Sequence, residues 1–240
     1  MGAQWKHAGQ QANALKRGAM ISKLIKEIIV AAKSGDPHPE NNARLRVAVE
    51  VARKSSVPRD NIERALKRAQ GLLDPVTYET VMYEGFAPHN VAVIVECLTD
   101  NKNRTAADVR VLFRKGQLGS IGAVTWMFDY QGVIEATHTD KNLDSEGAAI
   151  EAGAQNVEPI EATEETKGLL AARFFCDVKD LDSASKYLSA NGWTVTMSEM
   201  SYTAKNLLEI ADEEKRKEVV EFLNDLDDND DVHRVYAALK

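Results

Sequence analysis

Two short polar clusters hold the residues whose types could do chemistry: Tyr83-Glu84-Gly85-Phe86-Ala87-Pro88 and Thr99-Asp100-Asn101-Lys102-Asn103-Arg104-Thr105. Both fall near the ends of neighbouring predicted elements. Glu84, Asp100 and Arg104 could therefore meet in one polar site, ringed by Tyr83, Asn101, Asn103 and Thr105. Carboxylates beside a guanidinium can move or hold a proton, yet an arginine held by carboxylates serves equally well as a structural ion pair. Elsewhere the chain offers little to a chemist. It has no P-loop, HExxH, G-x-S-x-G or Gly-rich dinucleotide turn. The glycines of KGQLGSIG lack the Lys-Ser/Thr ending of a phosphate cradle and read as a loop before a strand. The five histidines, His7, His38, His89, His138 and His233, include no pair at metal-ligand spacing. Cys97 and Cys176 lie far apart in apolar runs, which suits reduced core thiols and a cytoplasmic protein. The expectation is a non-enzymatic chain with no cofactor and no metal.

What remains is charge. Residues 1–73 carry 14 Lys+Arg against 6 Asp+Glu, net +8, whereas residues 74–240 carry 16 against 31, net −15. Such asymmetry in a chain of net charge −7 points to a polyanion as partner of the basic part, although a Lys-rich helix face is also an ordinary solvated surface. The polyanion is either nucleic acid or an anionic membrane surface; no apolar run approaches membrane-spanning length, and the expected partner is nucleic acid, not a membrane. The start, MGAQWKHAGQQ, has no apolar stretch and reads as mature intracellular sequence.

The elements that must carry these charges follow from periodicity. Residues 1–15 read as an arm on which Trp5 either stacks on a base or packs on the next helix, with Lys6 and His7 beside it. Helices are predicted over 16–33, 42–55 and 59–70. Met20, Leu24, Ile28 and Ala31 form the apolar stripe of the first. Lys16, Arg17, Lys23, Lys26, Arg44, Arg46, Arg53, Lys54 and Arg59 fall on polar faces and are the candidate nucleic-acid contacts. The SGDPHPEN break is too long for a helix-turn-helix, so spread cations of this kind suit phosphate contacts that position a protein without reading sequence.

After Pro75 the pattern changes. Strands are predicted at 77–86 and 91–99, a helix after Asn101 or Asn103, and a strand at 124–128. Residues 131–200 then spell βαββαβ, a split βαβ or ferredoxin-like order. A helix at 212–226 and a strand at 232–237 complete the preceding unit, with the acidic DDNDD between them read as a solvated corner. The expected architecture is α+β and multidomain. A basic helical domain with its arm (1–73) precedes two ferredoxin-like α/β domains, one (131–200) inserted in the other (74–130 plus 201–240). A monomer is the favoured state.

Several stretches carry a resemblance: Trp5–His7, KRG at 16–18 with SKLIKEIIVAAKSGDP, NARLRVAVEVARKSSVPRDNIERALKRAQG, YEGFAP, ECLTDNKNRTAADVR, LGSIGAVTWMFDYQGVI and DDNDDVHRVY. In this order they resemble the YebC family, whose mitochondrial relatives are translational activators. The resemblance implies a helical domain followed by two α/β domains, in a cytoplasmic regulator without catalytic activity. Bacterial members are described as probable transcriptional regulators binding promoter DNA; relief of ribosome stalling on proline-rich stretches is also attributed to the family. Promoter DNA and ribosomal RNA are thus the two partners it implies.

Overall fold

Each predicted helix and most predicted strands appear in the computed structural model, which describes residues 4–74, 77–161 and 166–240, with side chains from residue 17 onward. In chain order the elements are α1 (Gln4–Ser34), α2 (Ala43–Lys54), α3 (Arg59–Ala69), β1 (Glu79–Phe86), β2 (Ala92–Thr99), α4 (Lys102–Leu112), β3 (Gln117–Leu118), β4 (Phe128–His138), α5 (Ser145–Ala152), β5 (Asn156–Pro159), β6 (Leu170–Cys176), α6 (Leu181–Ala190), β7 (Thr194–Ala204), α7 (Glu213–Asp227) and β8 (Val232–Ala237). The fold is α+β: three N-terminal helices, then two antiparallel four-stranded sheets with helices. The arm expected over residues 1–15 is helical from Gln4, since its Gln, Ala and Lys residues are good helix formers and no proline interrupts them.

Packing groups the described chain into two compact units, 1–30 with 63–129 and 203–240, and 31–62 with 130–202. In the first, the β1–β2 hairpin occupies the centre of a β3-β1-β2-β8 sheet, paired Glu79↔Thr99 through Phe86↔Ala92. Its core joins Val91, Val93, Val95 and Cys97 of the hairpin region to Val109, Phe113, Val219, Phe222 and Val232. Phe113 and Phe222 meet edge to face at 5.3 Å between centroids. Burial pushes the Cys97 thiol up to about 12, so it is an inert core group.

The strand predicted at 124–128 is a correction. Thr125–Met127 is a 3-10 turn, and the third strand of this sheet is instead β3, inside the KGQLGSIG segment that reads as a loop. The reason lies in Glu84, which takes the Val124 and Thr125 N–H groups and removes them from any ladder. Gly85 makes the swap sterically possible: a Cβ there would stand 2.3 Å from the Gln117 carbonyl, so only glycine lets β3 lie along β1.

The second unit has sheet order β5-β6-β4-β7 with α5 and α6 as crossovers, which is the split-βαβ order. Phe174, Ile134, Leu188 and Trp193 are buried in its core, and Val47 and Val51 of α2 pack into the same cluster. Asn42 holds the start of α2: its Oδ1 accepts from Leu45 N–H at 3.0 Å, while Nδ2 donates to the Ala31 and Asp36 carbonyls at 2.9 Å each. Asn42→Ala is expected to cost about 1–2 kcal/mol, the usual value of an N-cap. Urea unfolding followed through buried Trp193 checks it, and Asn42→Asp should restore only the cap's share.

Candidate functional site

The first unit brings Asp100, Arg104 and Thr105 together, and adds Lys26, Thr99 and Asp231 to them. Asn101 is the N-cap of α4, accepting from Arg104 N–H at 3.1 Å, and thereby aims the first turn. From that turn Arg104 Nη2 donates to both oxygens of Asp231 at 3.0 and 2.8 Å and to Asp100 Oδ1 at 2.9 Å, with Nε on Asp231 Oδ2 at 3.1 Å. Thr105 Oγ1 donates to Asp231 Oδ2 at 2.9 Å and Thr99 Oγ1 to the same atom at 3.3 Å. Asp231 sits one residue before β8, where its carbonyl accepts from Leu98 N–H and so extends the β2–β8 ladder inward. The acidic run read as a solvated corner thus contains a carboxylate only 4% exposed.

Lys26 is the other counter-charge. Expected on a solvent-facing side of its helix, it is 8% exposed. Its Nζ donates to the Leu98 and Asp230 carbonyls at 3.1 and 2.8 Å, pairs with Asp231 Oδ1 at 3.1 Å and lies 5.5 Å from the centre of the Tyr78 ring. The helix turns Lys26 inward because Ile28 and Ile29 beside it are fully buried. Burial alone would raise the Asp231 carboxyl, but hydrogen bonds from Arg104, Lys26 and Thr105 hold it below the usual carboxylate range. A carboxylate so depressed and saturated is a poor general base. The arrangement is an electrostatic clamp tying α1, α4 and the α7–β8 corner together. Outside it, Ser22, Tyr78, Asp108 and Asn229 complete the lining of an open cleft of ≈ 450 Å³.

Glu84 and Tyr83 do not join this cluster. The Glu84 carboxylate, 6% exposed, accepts from Gly122, Val124 and Thr125 N–H groups at 2.8, 2.9 and 2.9 Å. Burial raises its carboxyl and these amides more than offset it, leaving it lowered. Tyr83 packs half-buried against the first unit's core, and Asn103 is exposed on α4. The meeting of Glu84 with Asp100 and Arg104 fails because Glu84 points to the β3 side of the hairpin, whereas Asp100 follows the end of β2 on the opposite flank.

Of the candidate nucleic-acid contacts, Trp5, Lys6, His7 and Lys16 lie outside the described side chains. Arg17, Arg53, Lys54 and Arg59 are exposed, Arg44 and Arg46 half-buried. Lys23 is bonded to Asp227, to its side chain at 3.2 Å and also to its carbonyl. Sequence reasoning missed Asp231 and Tyr78 and gave Thr99 no part beyond its place in the second cluster; the one available signal was that Asp231 directly precedes an apolar strand, where a carboxylate needs a partner. Among the described residues no group of His, Cys, Asp and Glu is placed to hold a metal, and no helix is long and apolar enough to cross a membrane.

Three N-terminal helices leading into two antiparallel α/β sheets, one of split-βαβ order, with an ion-pair clamp where a catalytic centre would be sought, define the class of this molecule. The chain belongs to the TACO1/YebC family: residues 2–72 match the family's N-terminal domain and residues 78–239 its second and third domain. A probable transcriptional regulatory protein of Bdellovibrio bacteriovorus is 49% identical over the full length of both chains. Another from Pseudomonas syringae pv. tomato is 47% identical over 100% of this chain and 99% of its own. The crystal structure of a conserved hypothetical protein from Aquifex aeolicus superposes with a TM-score of 0.78 at 38% identity, covering 94% of this chain and 90% of that one.

Proposed function

We propose that this chain is a non-enzymatic regulator of gene expression that binds DNA through its phosphates. The observation that carries this reading is the concentration of positive charge, net +8, in residues 1–73 of an otherwise acidic chain. Arg17, Arg53 and Lys54 in that stretch are exposed. Relatives named probable transcriptional regulatory proteins support the regulatory part. A second reading, docking on ribosomal RNA, draws on the long Gly35–Asn41 connection before α2, which is unlike the tight turn that sets a groove-reading helix. Phosphate contacts without base readout serve either nucleic acid.

Fluorescence anisotropy with a labelled duplex tests the shared part. Changing Arg17, Arg53 and Lys54 together to Glu is expected to weaken binding roughly 100-fold, taking about 1 kcal/mol per close charge contact in water. The slope of log K against log salt should fall by about 0.9 for each phosphate no longer neutralised. Unchanged affinity in the triple variant would sink the reading. A genomic duplex outcompeting random duplex by well over tenfold at ~150 mM salt selects DNA. Equal duplex affinities together with co-sedimentation on ribosomes select the second reading.

A further inference from the structure

In the first unit, the loop between β3 and β4 is built more firmly than a connection needs to be. Three of its amides, those of Gly122, Val124 and Thr125, are held by the Glu84 carboxylate, and Gly119 N–H donates to the Glu84 carbonyl at 2.8 Å. Val124 is fully buried. The far end is tied to Lys205, whose backbone N–H donates to the Met127 carbonyl at 2.9 Å and whose Nζ donates to the Trp126 carbonyl at 3.1 Å. Ala123 N–H closes a turn on the Ser120 carbonyl at 3.0 Å and so puts Ile121 at its corner. This frame holds two large apolar side chains in solvent, Ile121 at 95% and Trp126 at 69% exposure. One exposed isoleucine is ordinary, but a fixed loop that presents an aromatic as well has the character of a contact surface. The Trp126 indole N–H is already taken, donating to the Ala123 carbonyl at 3.1 Å. What the ring leaves to a partner is its face.

Charge indicates the kind of partner. Residues 109–128 hold Arg110, Arg114 and Lys115 and no Asp or Glu, within a part of the chain, 74–240, whose net charge is −15. All three cations are exposed. Lys115 pairs with Asp225 at 3.0 Å, whereas Arg110 and Arg114, four residues apart on α4 and the 3-10 turn that extends it, form no ion pair among the described residues. The first acid beyond the loop, Asp129, is paired with Lys205 at 3.4 Å. Open guanidinium groups followed by a fixed aromatic face suit a single-stranded nucleic acid, whose phosphates take the cations and whose unstacked bases take the ring. A duplex offers the phosphates alone, because its base faces are already stacked on one another.

We propose that this loop stacks Trp126 on an unpaired base of a single-stranded nucleic acid, with Arg110 and Arg114 on phosphates of the same strand. The proposal rests on the nucleic-acid reading above and deepens it, since it names the strand form that this part of the chain takes. It also gives the acidic part of the chain a contact of its own, at a position that net charge cannot locate.

Tryptophan fluorescence of the full chain, titrated with oligouridylate and with oligothymidylate of the same length, tests the loop. Quenching by either strand supports it, and the tighter of the two names the source. The quenching should vanish in Trp126→Phe, which keeps a ring to stack and should hold its affinity within about threefold. Trp126→Ala should bind the single strand at least about fivefold more weakly, the low end for one base–aromatic stack, at an unchanged salt slope. Changing Arg110 and Arg114 to Glu should instead lower that slope by about 0.7 for each phosphate no longer neutralised. Trp126→Ala removes an exposed side chain and one hydrogen bond, so its unfolding midpoint should stay close to that of the unaltered chain. Single-strand affinity within about twofold in Trp126→Ala, or a duplex affinity that falls equally, overturns the proposal. So does a dimer of the chain that Trp126→Ala abolishes while neither strand quenches, which assigns the loop to a second copy. The two readings fail separately. Quenching that survives when Arg17, Arg53 and Lys54 are changed to Glu, beside unchanged duplex binding, leaves the loop standing without the helical head. Duplex binding that depends on those three cations, with no quenching, leaves the head standing without the loop.

Discussion

Asp231→Ala is expected to destabilise the first unit by about 3–5 kcal/mol, the range for removing one partner of a buried ion pair. The expectation is this large because Lys26 stays behind. Its side chain is 10% exposed, with two carbonyls for company but no other carboxylate among the described residues at hydrogen-bond distance once Asp231 is gone. Thr105, fully buried, loses its acceptor at the same time, though its hydroxyl keeps the Asn101 carbonyl at 3.1 Å. Arg104 contributes less to the penalty, since its side chain is 49% exposed and can turn to Asp100 and water. Urea unfolding with amide exchange of β2 and β8 as the local probe measures the effect. A loss below about 1 kcal/mol would mean that the clamp is not a structural determinant. Lys26→Met in the Asp231→Ala background should recover part of the loss by removing the stranded charge, a coupling that a double-mutant cycle isolates. The sign with pH follows from the lowered carboxyl of Asp231. The clamp's contribution is present above the unfolded aspartate value, near 4 (~3.9), and disappears as pH falls through the folded value below it.

Glu84→Gln should release the segment from Gly119 to Trp126 while leaving the hairpin intact. Three backbone N–H groups converge on one carboxylate, and a glutamine turns one acceptor oxygen into a donor facing those N–H groups. Each buried donor left unsatisfied costs ~1–3 kcal/mol. Exchange of the Gly122, Val124 and Thr125 amides should therefore speed up by at least tenfold, with a loss of about 2–4 kcal/mol in unfolding. The consequence reaches the surface, because this segment displays Ile121 and Trp126, 95% and 69% exposed. Protection unchanged at those three amides would disprove the anchoring role. Lowering pH should mimic the substitution: with its folded value depressed, Glu84 holds the loop above about pH 4.3 and releases it as the pH drops through that lower value.

Much of the fold was legible because it is encoded at short range. The split-βαβ order of residues 131–200 followed from alternation and helical periodicity, and all four of its strands and both helices are present. Gly71 ends α3 in the left-handed conformation, with Leu72 N–H on the Lys67 carbonyl and Gly71 N–H on that of Arg68, the bonding pattern a glycine after a helix announces. Of Asn101 and Asn103, the two candidate caps, Asn101 caps α4. The third strand of the first sheet was not legible. A two-residue strand has no periodicity, and its place depends on Gly85, more than thirty residues earlier, leaving room beside β1.

By itself, then, the sequence determined the types and order of the longer, periodic elements, the family, and the placement of excess positive charge in the first 73 residues, all properties of neighbouring residues or of plain composition. Only the tertiary structure decided what those charges do. Lys26 and Asp231 are separated by 205 residues and Arg104 and Asp231 by 127, so no local pattern marks them as partners. Burial made the difference: the same lysine that reads as a phosphate contact on a helical wheel becomes half of an ion pair once β2 and the α7–β8 corner close over it.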